Sequence, residues 1–403
     1  METNIKLYSY RWVVLLAFMF IAAMNQLLWI TFAPITGAAA AFYGTTDLMI
    51  GLLSMLFMVI YVVLVLPSAW VIDTYGFRVA VGIGAVLTAV FALTRGLFAA
   101  NLTIVFISQI GIAVGQPLIL GAITKLAARW FPVNERATAT GLGALSMYLG
   151  ILLAMLITPA LTMKYHLPNM LLIYGIVTAL SAIVFLLLAK EKPATPPCPA
   201  GDEERTLMFD GLKSMLRQKD FILLLVIFFI GLGMFNGIST WIENIVRPRG
   251  FSISQAGMLG GMMLIGGIIG AMIIPAISDK LGKRKPFILL ALIGLIPGLI
   301  GMTFAHSYGW LLVSGFSFGL FLLSSGPIGF QYGAEITYPA PEGTSNSLLL
   351  VMGQISGIIF IFGMDLFKSA QDGAMTVSLL VLLGLTILSI LLALLLKESS
   401  VRN

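Results

Sequence analysis

The stretch DTYGFR, Asp73 to Arg78, is wedged between two long apolar runs, and a near copy, DKLGKR, occupies Asp279 to Arg284. Acid, glycine and base recur at an offset of 206: Asp73, Gly76 and Arg78 fall on Asp279, Gly282 and Arg284. Glycine lets a chain turn tightly between helices, and the acid and base can pair with each other or with neighbouring helix ends. The pattern reads as one polar turn made twice, with a latching role expected for these six residues.

What surrounds the turns decides the fold. Of 403 residues, 59% are hydrophobic and 10% charged, whereas a soluble domain carries about 25% charged residues. The solvent is therefore lipid. A bilayer is crossed by roughly 20 apolar residues, and twelve such windows follow one another: 10–35, 47–72, 78–99, 102–128, 137–163, 168–189, 221–244, 254–278, 286–305, 309–334, 345–367 and 374–396. The runs are too long for barrel strands and do not alternate, so an all-α membrane protein with twelve transmembrane helices is expected. Glu191 to Lys219, with KPATPPCPAGDEER, cannot continue a membrane helix. It divides the chain into a six-helix bundle at 1–190, a linker at 191–219 and a second six-helix bundle at 220–403.

With both termini cytoplasmic, 18 of the 23 Lys and Arg residues fall inside, and Arg95, Lys164, Arg247, Arg249 and Lys368 remain outside. That asymmetry is the positive-inside pattern of a multi-pass protein of the inner cell membrane. It also accounts for the basic balance without a nucleic-acid partner. METNIKLYSYR is too polar, and the run after it too long, for a cleaved signal, so the first helix is expected to stay as an anchor. The single Cys198 offers neither a disulfide nor a metal site, and His166 and His306 stand at expected outer loop edges. With no metal-binding helix motif, nucleophile elbow or phosphate loop, the chain does not read as an enzyme, and no cofactor is expected.

A second echo sets Glu135, Arg136, Ala137 and Thr138 against Glu342, Gly343 and Thr344 at an offset of 207. Two repeated halves related by an axis along the membrane normal are the architecture of facilitator transporters, with substrate held near the midplane. The DxxGxR turn between membrane helices resembles the loop motif of the major facilitator superfamily. A closer likeness runs through YSYRWVVLLAFMF, MNQLLWITFAPI, SMLFMVIYVVLVLPSAWVIDTYGFR, SQIGIAVGQPLILG and AEITYPAPEGTSNSLLLVMGQISGIIF. These stretches resemble the feline leukaemia virus subgroup C receptor family. That resemblance implies carriage of choline or ethanolamine, with haem an earlier association, by rocker-like alternating access.

Six residues are candidates for substrate. A quaternary ammonium calls for an aromatic face, and Trp29, one turn after Asn25 and away from the interfacial belts, is suited to it. By resemblance it falls on the tryptophan of the family's cation box. Gln116 and Gln354 each place an amide in hydrocarbon, where it faces either a cavity or another helix. The family has a substrate-contacting glutamine at Gln354. At the 206 offset Gln354 is matched by Tyr148, where the family has glutamine, and Asn236 stands where the family has tyrosine; Tyr148 is expected to supply the ring that Asn236 lacks. Glu335 reads as an inside latch with Arg129 or Arg136, as a proton-coupling site, or as a remote attraction for a cation. Arg95, Asp47, Glu243 and Asp365 fall near the outer ends, where they latch an outer gate or mark the interface. The glycine run GMLGGMMLIGGIIGAM reads first as close helix packing.

The expected protein is a monomeric carrier of a small organic cation, with partners limited to its substrate and the lipid bilayer. A proton-coupled carrier of another small metabolite, including an organic acid, and a haem or drug exporter are the alternatives.

Overall fold

The computed structural model describes residues 7–195, 215–338 and 342–399, without the side chains of 133–134 and 342–344. Cys198 and most of the expected linker lie outside the described residues, as do the side chains of Glu342, Gly343 and Thr344. Among the described residues every regular element is a helix. The first half holds α1 (Tyr10–Ile30), α2 (Thr36–Tyr43), α3 (Asp47–Tyr75), α4 (Phe77–Leu97), α5 (Leu102–Leu120), α6 (Ile123–Trp130) and α7 (Val133–Leu188). The second holds α8 (Lys219–Thr240), α9 (Ile242–Val246), α10 (Ile253–Leu281), α11 (Lys285–Phe304), α12 (Tyr308–Thr337), α13 (Glu342–Leu366) and α14 (Thr376–Leu394).

At 56 residues, α7 would extend for about 84 Å, nearly three times the hydrocarbon thickness of about 30 Å. It is two spans joined at His166, whose φ of 64° and ψ of 161° break the helix. Among the described residues twelve spans result, in the expected order. The first differs in detail from the expected window of 10–35. Regular helix stops at Ile30, a 3-10 turn covers Ala33–Ile35, and α2 resumes the direction. Pro34 lies four residues after Ile30 and has no N–H to give its carbonyl, so the break falls where the ladder must lose a bond.

Contacts divide the chain into two compact units, Met1–Phe32 with Ala38–Glu204, and Ala33–Gly37 with Arg205–Asn403. Inside the first, α1 packs on the first part of α7, α4 packs on α5 and the second part of α7, and α3 packs on α5. Inside the second, α8 packs on α13, α11 on α12 and α14, and α10 on α12. Counted as spans, the two sets of neighbours are identical, which is what a repeated six-helix unit requires. The glycine run on α10 is used for packing: a Cβ at Gly266 or Gly270 would collide with the backbone carbonyl of Phe316 or Leu320 on α12.

Candidate functional site

The end of α1 is held by side chains rather than by its own ladder alone. Thr31 Oγ1 donates to the Leu27 carbonyl at 2.8 Å, and Ser54 Oγ on α3 donates to the Trp29 carbonyl at 3.4 Å. Arg95 Nη1 and Gln109 Nε2 both donate to the Leu28 carbonyl, at 3.3 and 3.4 Å. In return Trp29 Nε1 donates to the Ser54 carbonyl at 3.1 Å. The indole is thus buried and fixed one residue before the helix stops.

Asn25, one turn earlier, is fully buried, and its amide donates to Thr88 Oγ1 at 3.3 Å and to the Ile112 carbonyl at 3.4 Å. These bonds tie α1 to α4 and α5, so its donors are spent inside the unit. Gln116 on α5 is different: it is 5% exposed, and its Oε1 is buried without a hydrogen-bond partner among the described residues. A buried amide oxygen left unmatched costs about 1–3 kcal/mol, which makes it a candidate acceptor for a ligand. Tyr148, on the first part of α7, is half-buried. It is two residues from Gly150, where a Cβ would strike the Ala23 carbonyl of α1.

In the second unit Asn236 on α8 is buried and donates from Nδ2 to the Gly353 carbonyl of α13 at 3.1 Å. Gln354, the next residue, is half-buried. The two are brought to one place on the α8–α13 contact.

The inside turns are built on a device that sequence reading missed. Glu191, just beyond α7, accepts from Phe77 N at 3.3 Å and Arg78 N at 2.8 Å. Glu398, just beyond α14, accepts from Arg284 N at 2.6 Å and Lys285 N at 3.2 Å. Each carboxylate satisfies donors at the N-terminus of the third span of its unit and faces the positive end of that helix. The two acids are 207 positions apart, the offset already visible in Glu135 and Glu342, and that spacing in AKEK and LKES was the available signal.

Equal caps set Phe77 against Arg284, one residue away from the match that DTYGFR and DKLGKR suggest. The reason lies in the turns. Gly76, at φ 87°, ends α3 and immediately precedes α4. Gly282, at φ 60°, ends α10, and Lys283 and Arg284 follow before α11 begins. The second turn is longer, so the two motif arginines do not occupy matching places. The repeat partner of Gln354 changes for the same reason: the 207 offset that holds from Glu135 onward places it on Met147, not Tyr148.

The consequence is electrostatic. Arg284 is 5% exposed and donates from Nε and Nη2 to Glu335 Oε1 at 3.1 and 3.0 Å. Its Nη1 also bonds Asp279 and reaches Ser278 Oγ at 3.2 Å. Glu335 further accepts from Gln331 Nε2 at 3.1 Å and from Ser399 Oγ. Burial pulls the Arg284 pKa down, but the bonds to Glu335 and Asp279 outweigh it and hold the guanidinium above its ordinary value. Of the residues expected to latch the inside face, Asp279, Arg284 and Glu335 are therefore brought together, with Gly282 shaping the turn. In the first unit Asp73 pairs with Lys125 at 3.2 Å, and Arg78 is exposed with its side chain unpaired among the described residues. At the offsets of 206 and 207 Glu335 falls on Arg129 and Ala128, so the first unit has no acid there for an arginine to meet.

Arg95, expected at an outer end, is wholly buried; it contacts Gln109 Oε1 at 2.7 Å and lies over the Phe32 ring at 5.6 Å. In the second unit Glu243 is buried and accepts from Gly37 N at 3.0 Å.

A family model described as Major Facilitator Superfamily matches residues 14–361. Solute carrier family 49 member A3 of Xenopus tropicalis is 30% identical over 379 residues, covering 89% of this chain and 78% of the relative. The choline/ethanolamine transporter FLVCR2 of Homo sapiens is 30% identical over 377 residues, covering 88% and 72%. A bacterial homologue of the human lysosomal transporter Spinster superposes with a TM-score of 0.73 at 16% identity over 96% of both chains, and the nucleoside transporter NupG with 0.73 at 14% over 94% and 98%. At those identities the superpositions speak for the fold alone. The chain belongs to the major facilitator superfamily, as a multi-pass membrane transporter rather than an enzyme, and is a relative of the FLVCR and solute carrier family 49 proteins.

Proposed function

We propose that this transporter carries a small organic cation of the choline or ethanolamine type, exposing its site to the two sides of the membrane in turn. Trp29 offers its ring to the cationic head, and the unmatched Oε1 of Gln116 accepts from the hydroxyl or ammonium of the substrate. Tyr148 adds a second ring; in the second unit Asn236, which bonds the backbone next to Gln354, and Gln354 itself are the further residues assigned to substrate. Asn25 acts through α1, which it holds against α4 and α5. Both termini are assigned to the cytoplasm of a monomer in the cell membrane, on the distribution of Lys and Arg. The observation that carries the reading is a buried amide, Gln116, whose acceptor is unused, in the same unit as the pinned Trp29 indole.

Arg95 favours a second reading, a proton-coupled carrier of a small organic acid. Its Nε and Nη2 are buried without hydrogen-bond partners among the described residues. Uptake of labelled choline into proteoliposomes, with and without a pH gradient, separates the two. The first reading expects saturable uptake indifferent to the gradient, reduced roughly 30-fold in affinity by Trp29→Ala if the ring contributes about 2 kcal/mol. Proton-driven uptake of an organic acid, lost in Arg95→Gln, with no choline uptake, would establish the second.

A further inference from the structure

A groove on the first unit points to a ligand of a different kind. It has a volume of about 460 Å³ and is lined by Arg78, Val79, Gly82, Ile83, Val86 and Leu87 of α4 with Phe185 and Leu186 of α7. Five of the α4 residues form one stripe along the helix: Arg78, Val79, Gly82, Ile83 and Val86. Val79, Ile83 and Val86 are each 45% exposed although apolar, so in a membrane this face meets lipid. Gly82 makes the depression. A Cβ there would already touch Leu186 Cδ2 at 3.4 Å, and the second unit has Ile288 or Leu289 at the matching place.

The length of the groove is informative. The nine helical steps from Arg78 to Leu87 rise about 14 Å, close to half of a hydrocarbon core about 30 Å thick. The groove therefore spans one leaflet. Its polar end is at headgroup depth: Tyr75 and Trp70, 56% and 60% exposed, stack edge to face there, as interfacial aromatics do. Arg78 is exposed at that end with no side-chain partner among the described residues. The Glu191 carboxylate is turned to the backbone N–H groups of Phe77 and Arg78.

We propose that this groove holds one phospholipid, with an acyl chain along Gly82 and Val86 and the phosphate paired with Arg78. The matching place in the second unit carries Ile288 or Leu289 where the groove needs Gly82, and Arg284 there is committed to Glu335 and Asp279.

Native mass spectrometry of the purified full chain, titrated with dioleoyl phosphatidylglycerol and separately with dioleoylglycerol, tests it. The wild type should bind one phosphatidylglycerol about fivefold more tightly than the neutral lipid, the effect of one arginine at a lipid surface. Arg78→Gln should remove that preference, and Val86→Phe, which fills the groove from an exposed position, should weaken both lipids. Val90→Leu, farther along α4, should change neither. Equal phosphatidylglycerol binding by the wild type and either Arg78→Gln or Val86→Phe would overturn the proposal, as would a chain dimer that Val86→Phe dissolves in place of a lipid adduct.

Discussion

Two turns written with nearly the same letters perform different electrostatic work. In the second unit the arginine of DKLGKR is buried and bonds Asp279 and Ser278 of α10 and Glu335 of α12. In the first the arginine of DTYGFR faces outward, and the aspartate is served by Lys125 of α6 instead. The cause is the longer second turn, which moves the offset from 206 at the glycines to 207 at the caps and carries the arginine into the inward place that Phe77, fully buried, fills in the first. On a helix one residue is about 100° of rotation, so a one-letter shift exchanges the inside for the outside.

The largest test of this contrast is to neutralise each arginine. Arg284→Gln leaves Glu335 half-buried and without its charge partner, a change that costs about 3 kcal/mol or more. Arg78→Gln removes no polar side-chain partner among the described residues and should stay within about 0.5 kcal/mol. Thermal unfolding in one detergent measures both, and equal losses would show that the two turns are equivalent after all.

The glycines sharpen the same contrast by a smaller amount. Gly76, at φ 87° and ψ 168°, is in a region nearly reserved for glycine, and a Cβ would strike the Glu191 carboxylate. Gly76→Ala should cost about 2–3 kcal/mol and disturb the cap on α4. Gly282, at φ 60° and ψ 30°, is left-handed, a conformation asparagine tolerates, so Gly282→Asn should cost less than about 1 kcal/mol. The caps themselves should be equivalent. Glu191→Gln and Glu398→Gln each weaken two bonds to backbone N–H groups, with about 1 kcal/mol expected in both. A difference between them would break the match that the 207 offset defines.

Much of the fold was legible because lipid leaves few choices. Twelve apolar windows become twelve spans, since a backbone in hydrocarbon must bond to itself. The break after Ile30 was harder to see: Pro34 marks it, but the side chains that hold it, Ser54, Arg95 and Gln109, come from other helices. The candidate site was legible in part. Trp29 and Gln116 could be named from their place in the apolar runs, whereas Asn25, equally polar and one turn away, is consumed by Thr88 and Ile112. Single-sequence periodicity cannot tell those cases apart, because the first span is buried nearly all round. The motif match was the most misleading signal, being a likeness of letters across a turn whose length had changed.

The smallest expected effect is also the most diagnostic of environment. Lys125 and Asp73 form an ion pair at 3.2 Å with side chains 21% and 53% exposed. Such a pair contributes about 0.2–1 kcal/mol and is screened at a Debye length of about 10 Å in 0.1 M salt, about 3 Å in 1 M. Lys125→Ala should therefore lower the melting temperature slightly at low salt and not at all in 1 M sodium chloride. Arg284 and Glu335, with side chains 6% and 14% exposed, are shielded from those ions, so the penalty of Arg284→Gln should persist at both salt concentrations. If salt abolished the two effects alike, the inward arginine would be as open to solvent as the outward pair, and the difference between the two turns would be one of sequence alone.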